Sequence, residues 1–311
     1  MLTARPRGVQ APHCEPCGTG RRGDHPGGEK APCGETPHNG TGMSPPGSES
    51  PRPLPALLAL AVTVGGVAAM FASGLVAARL GLGLGLRGQI ALGTVLLAVP
   101  ALLALVVRPP AWTAALGSAE VPHRTAALAT LLGAALWLGS LGLMEMQSLL
   151  SPPSPEYLEA FRALHRALAP SGPLDTLVSL AVIAVLPGLC EELAVRGALL
   201  PSLVRPLGLL GAVVASAFLF AAMHLDAYRF LFTFTVGFVL GVLRLRTGSL
   251  WPPVFAHVTL NALTFAIAPL VDDPAQPYTP QPALGLACLV VGAAAGWPLL
   301  RALGHPPAPP A

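Results

Sequence analysis

Three short polar groups interrupt the otherwise apolar second half of the chain, and each carries side chains able to hold or move a proton. They are Glu191-Glu192-x-x-x-Arg196, Phe220-x-x-x-His224 and His257-x-x-x-Asn261. An ionisable side chain in a bilayer core costs about 2.5 to 3.5 kcal/mol on insertion scales, which makes such residues functional candidates. Neighbours on a helix point about 100° apart, so Glu191 and Glu192 are not expected to share one partner. Glu192 and Arg196 are four apart, in the favourable order for an intrahelical ion pair. Glu191 is then left without that arginine. The spacing therefore predicts that Glu191 acts as a general base while Glu192 and Arg196 fix the helix. His257 and Asn261 project from one helix face, and Phe220 lies one turn behind His224. A carboxylate, two imidazoles and an amide on three helices are the parts of a general base with an oxyanion-stabilising site.

Each group alone has a plainer reading. With Pro201 and Arg205 close behind, the two carboxylates would simply mark a helix end at the membrane–water interface. His224 would be a packing residue, and His257 with Asn261 would be interhelical glue, worth about 0.6 kcal/mol on average in membranes. It is the set that argues for chemistry. Other site types are missing: there is no His-Glu-x-x-His and no Gly-x-Ser-x-Gly. The Gly-Leu repeat at 80–86 lacks a following Lys-Ser/Thr, so it reads as a turn and not as a phosphate loop.

The elements that must position these residues are membrane helices. Of the 311 residues, 53% are hydrophobic and only 11% charged, against about 25% charged in a soluble domain. That excludes a disordered chain and an ordinary cytosolic enzyme. A net charge of +3 is too small a surplus for a nucleic-acid partner. Charge-free windows run over 53–78, 88–107, 125–144, 176–190, 206–223, 230–243, 247–271 and 284–300. A spanning helix needs about 17 to 25 apolar residues. The windows at 176–190 and 230–243 reach that length only with their flanking charges inside the helix. The expected fold is an all-α bundle of about eight spans. Arginine placement puts both termini in the cytoplasm, with Arg108, Arg124, Arg205, Arg244, Arg246 and Arg301 on that side. Arg79, Arg87, Arg162, Arg166 and Arg229, with Asp272 and Asp273, fall on the other. The amphiphilic stretch 156–168 reads as a helix outside the spans.

Four regions follow. Residues 1–52 are rich in Gly, Pro, Ser and Thr and are expected to be disordered. Met43 is an alternative start, and Cys14, Cys17, Cys33 and His38 are too poorly framed for a metal knuckle. Residues 53–172 form the first membrane helices, 173–270 the catalytic core, and 271–311 a last helix and short tail. Cys190 and Cys288 lie in apolar helices and read as packing residues.

The three motifs, in this order, resemble those of the CAAX-protease and bacteriocin-processing (CPBP, or Abi) intramembrane endopeptidases. The likeness covers about 175–270. It implies an all-helical membrane protease in which Glu191 and His224 hold and activate the attacking water. His257 and Asn261 would stabilise the tetrahedral oxyanion, and Glu192 and Arg196 would support the first helix. Eukaryotic members remove the last three residues of prenylated proteins; some bacterial members are tied to bacteriocin maturation or immunity. The expected partners are membrane lipid and a peptide or membrane-protein substrate, in a bacterial inner membrane. No cofactor is expected, although Glu191, His224 and His257 are also the residues that zinc would take. A non-catalytic adaptor or immunity protein with the same fold is the alternative. A transporter fits less well, because no internal repeat is found.

Overall fold

The structure is a computed structural model that describes residues 51–117, 120–271 and 278–304. Most of the glycine- and proline-rich tail lies outside the described residues, with Cys14, Cys17, Cys33, His38 and Met43; so do Asp272 and Asp273. Among the described residues there are nine helices and no strand. They are α1 (Ala56–Arg79), α2 (Leu86–Val106), α3 (Pro109–Leu116), α4 (His123–Leu150), α5 (Pro155–Leu168), α6 (Pro173–Ala222), α7 (Phe230–Thr247), α8 (Trp251–Val271) and α9 (Pro282–Ala302).

Six of these, α1, α2, α4, α6, α7 and α9, are long and apolar enough to cross a membrane. The 50-residue α6 carries two of the expected windows. It is bent at Gly208, whose φ of 70° is left-handed, just after Pro206. The bend is a reversal. Arg196 and Phe220 are 24 residues apart, about 36 Å along a straight helix, yet the guanidinium lies 4.4 Å from the ring. The window at 247–271 falls on α8, 21 residues long. With the two arms of α6 counted separately, the eight expected windows each fall on a helix. The chain is an integral membrane protein. Leu57, Leu103, Leu210, Val290 and Trp297 turn outward as a lipid-facing surface would.

The flanking charges are part of the helices, as the short windows required. Arg244 is buried in the last turn of α7 and donates to the carbonyls of Ala114 and Ala115, 2.9 and 3.1 Å away, at the C-terminal end of α3. The unsatisfied carbonyls at a helix end explain why a buried cation is held there. α9 packs along α4 and α1 along α2, while α8 lies between α4 and the first arm of α6.

Candidate active site

The first arm of α6 carries the acidic pair on an irregular stretch. Residues 181–185 and 193–199 form wide turns with i→i+5 hydrogen bonding. Each ends two residues before a proline, Pro187 and Pro201. A proline in a regular helix clashes with the carbonyl four residues back; here those carbonyls belong to Ile183 and Gly197, inside the wide turns. Glu191 and Glu192 sit between the two widenings. Such turns are rare and concentrate at functional sites.

Gly188, one turn before the acidic pair, brings α8 close. A Cβ there would lie 2.5 Å from Val258 Cγ2 and 3.3 Å from the Val258 backbone nitrogen. The close approach places His257 against both carboxylates. His257 Nδ1 donates to Glu192 Oε1 at 2.9 Å, and its Nε2 lies 3.9 Å from Glu191 Oε2. The two carboxylates thus share a partner, contrary to the expectation from their 100° separation. The physical reason is that an imidazole on another helix has two nitrogens facing different ways, so it bridges the angle between the two side chains.

Arg196 pairs with Glu192 as its spacing predicts, Nη1 to Oε1 at 2.7 Å, with both side chains fully buried. Its Nη2 donates to the Gly237 carbonyl on α7 at 2.9 Å, and its guanidinium stacks on Phe220. Glu192 therefore ties α6 to α8 while Arg196 ties it to α7; their reach is wider than the single helix expected from the sequence. Phe220 sets its ring edge-to-face on both His224 and His257, 5.1 and 5.7 Å between centroids. His224 Nδ1 donates to the Phe220 carbonyl at 2.8 Å, which in the neutral ring leaves Nε2 as an acceptor.

Phe220, His224, His257 and Asn261 line one cavity of about 50 Å³. A water needs about 10 to 15 Å³ on this measure, so a few waters fit. Arg229, Phe232, Thr233, Val236, Leu260 and Thr264 complete its wall. Sequence reasoning had not placed those six at the site. Leu260 and Thr264 continue the His257–Asn261 face at helical spacing, a signal that was available. Glu191 is not a lining residue; it meets the cavity's chemistry through His257. Its Oε2 is buried without a hydrogen-bond partner. Among the described residues no three His, Cys, Asp or Glu side chains gather as a metal site, so Glu191, His224 and His257 do not form one in this arrangement.

A family model described as type II CAAX prenyl endopeptidase Rce1-like matches residues 173–263, which run from the start of α6 into α8. The segment is similar to that endopeptidase domain. It contains all three motifs and leaves α1 to α5 and α9 outside the match. The similarity is to a family of membrane proteases and spans under a third of the chain. Neither a curated protein nor a solved structure matches the chain.

Proposed function

We propose that the chain is an intramembrane endopeptidase whose water is activated by Glu191, acting on prenylated or other membrane-associated peptides from a bacterial inner membrane with both termini cytoplasmic. The observation that carries this reading is the buried, unpartnered Oε2 of Glu191 beside His257; Glu192 Oε2 is unpartnered too, but that carboxylate is already held through Oε1 by Arg196 and His257. A buried carboxylate oxygen without a donor calls for an explanation, and a reacting water supplies the missing hydrogen.

Every step is carried by side chains of this chain. A water held by His224 gives a proton to Glu191, and its oxygen attacks the peptide carbonyl carbon. The carbonyl oxygen becomes an oxyanion that accepts bonds from His257 and Asn261. When the intermediate collapses, the C–N bond breaks and the proton on Glu191 passes to the leaving nitrogen. For His257 to donate from Nε2 while Nδ1–H stays on Glu192, the ring must be an imidazolium. In that state Glu191, Glu192, Arg196 and His257 carry two negative and two positive charges, which leaves the buried site neutral.

The test is cleavage of a prenylated and membrane-embedded peptide library by purified protein and its Glu191→Gln variant, with and without chelator. Turnover is expected to fall at least 1000-fold in the variant, more than the loss of one oxyanion donor costs, and to persist in chelator. Equal turnover in Glu191→Gln overturns the mechanism. Loss in chelator with recovery in zinc overturns the glutamate reading in favour of a metal. No cleavage of any peptide, with a membrane partner still captured, favours the adaptor.

A further inference from the structure

Beyond the motifs, the turn that presents His224 is held from outside in a conformation it would not adopt alone. Leu225, the next residue, has φ +50°, the left-handed region that leucine rarely enters, and its side chain is exposed. No packing of Leu225 itself therefore compensates for the strain. The following residues are fastened instead. Asp226 Oδ1 accepts the Arg229 backbone N–H at 3.0 Å, closing the turn into α7. Asp226 Oδ2 accepts the Tyr157 hydroxyl at 2.9 Å. Tyr157 is on α5 and also packs its ring on Tyr228, 5.1 Å between centroids. From α4, Gln147 Nε2 donates to the Tyr228 carbonyl at 2.7 Å. Burial, together with the neighbouring Asp226, raises the pKa of the Tyr157 hydroxyl, so it remains a proton donor through neutral pH.

The other end of α5 is fastened as well. Arg87 at the start of α2 donates to the Leu168 and Ala169 carbonyls at 3.0 and 3.2 Å. The same arginine pairs with Asp175, in the first turn of α6. Helix α5 thus connects the start of the arm that carries Glu191 with the turn that carries His224. Its 14 residues span about 21 Å at 1.5 Å each. Ser154 caps it, with Oγ accepting the Tyr157 backbone N–H, so the residue that grips Asp226 lies in the capped first turn of the helix.

We propose that Asp226 is a positioning residue: gripped by Tyr157 of the α5 brace, it holds the strained turn at Leu225 so that His224 faces the catalytic cavity. The importance of that pose to turnover rests on the protease reading; the hold on the turn does not.

The experiment compares wild type, Tyr157→Phe, Asp226→Ala and Asp226→Ala with Leu225→Asn, each purified as the full chain. Two readouts are taken: amide hydrogen exchange over 223–229, and cleavage of whichever prenylated reporter peptide the wild type turns over. Asp226→Ala is expected to speed exchange in that segment about tenfold and to lower kcat by a similar factor at near-constant KM. Tyr157→Phe should move both readouts in the same direction by less. Asparagine enters the left-handed region several-fold more readily than leucine, so Leu225→Asn should recover most of the kcat lost in Asp226→Ala. A merely structural role would not show that rescue. Unchanged exchange in Asp226→Ala overturns the proposal whatever the activity. Faster exchange with unchanged kcat in an active enzyme overturns the positioning role. A wild type that cleaves nothing overturns the protease reading, and the exchange arm still decides whether Asp226 holds the turn.

Discussion

Arg196 is a fully buried cation whose removal would leave Glu192 with His257 as its remaining partner. Breaking a buried pair by deleting one member costs about 3 to 5 kcal/mol, because an uncompensated charge stays behind. Arg196→Met is expected to lower the thermal midpoint in detergent by that equivalent, and Glu192→Gln in the same chain to recover part of it. A single variant that unfolds with the wild type would refute the coupling. The pair itself was legible from the four-residue spacing. The bond from His257 to Glu192 was not. Those residues are 65 positions apart, and which carboxylate meets the imidazole depends on how closely two helices pack. The free oxygen of Glu191 belongs to the same lesson: the sequence shows two adjacent carboxylates, and packing distinguishes the one held through Oε1 by Arg196 and His257 from the one facing His257 Nε2 at 3.9 Å.

At the scale of elements, the charge-free windows located the spans because a bilayer demands long apolar helices. The wide turns before Pro187 and Pro201 were hidden, although both prolines were in view, because a proline in a helix is accommodated by a kink or a wide turn according to its neighbours. Gly188 sets the approach of α8 to α6, as small residues do between membrane helices. Gly188→Ala would push against Val258 Cγ2. Overpacking of this kind costs about 1 to 3 kcal/mol, and it would move His257 away from the acidic pair. The expected result is a lower thermal midpoint and at least a tenfold loss of turnover, both largely restored by Val258→Ala, which removes the clashing methyl. Full activity in Gly188→Ala would mean that the spacing of α6 and α8 does not set the site. The amphiphilic stretch that the sequence placed outside the spans is α5, and its role as a brace was invisible because Tyr157 and Asp226 are 69 residues apart.

The whole molecule has two ends, and the contacts between its connections sort onto them. At one end the α5 helix reaches the His224 turn through Tyr157, Arg87 joins α2 to α5 and α6, and Tyr278 donates to Glu145 Oε1 at 3.1 Å. At the other, Arg244 meets α3, Arg246 donates to the Arg301 carbonyl, and Leu250 donates to the Leu116 carbonyl. An eight-crossing arrangement would generate this alternation, with α6 crossing twice about Gly208 and α8 added to the helices long and apolar enough to span. A single crossing by α6 would put Leu207 and Ala227 on the same end. In the proposed orientation the end bearing Arg244, Arg246 and Arg301 faces the cytoplasm, as the arginine bias predicts. Single cysteines placed at exposed Leu82, Val107, Leu207 and Ala227, in a chain whose five native cysteines are replaced, test both statements with a membrane-impermeant thiol reagent. Leu82→Cys and Ala227→Cys should label in intact cells, and Val107→Cys and Leu207→Cys only after permeabilisation. Labelling of Leu207→Cys and Ala227→Cys from one side would remove the second arm of α6 as a crossing. A complete inversion of the four would keep the eight crossings and turn the bundle over. In that case His224 and the α5 brace would face the cytoplasm, and a peptide would enter the cavity from there.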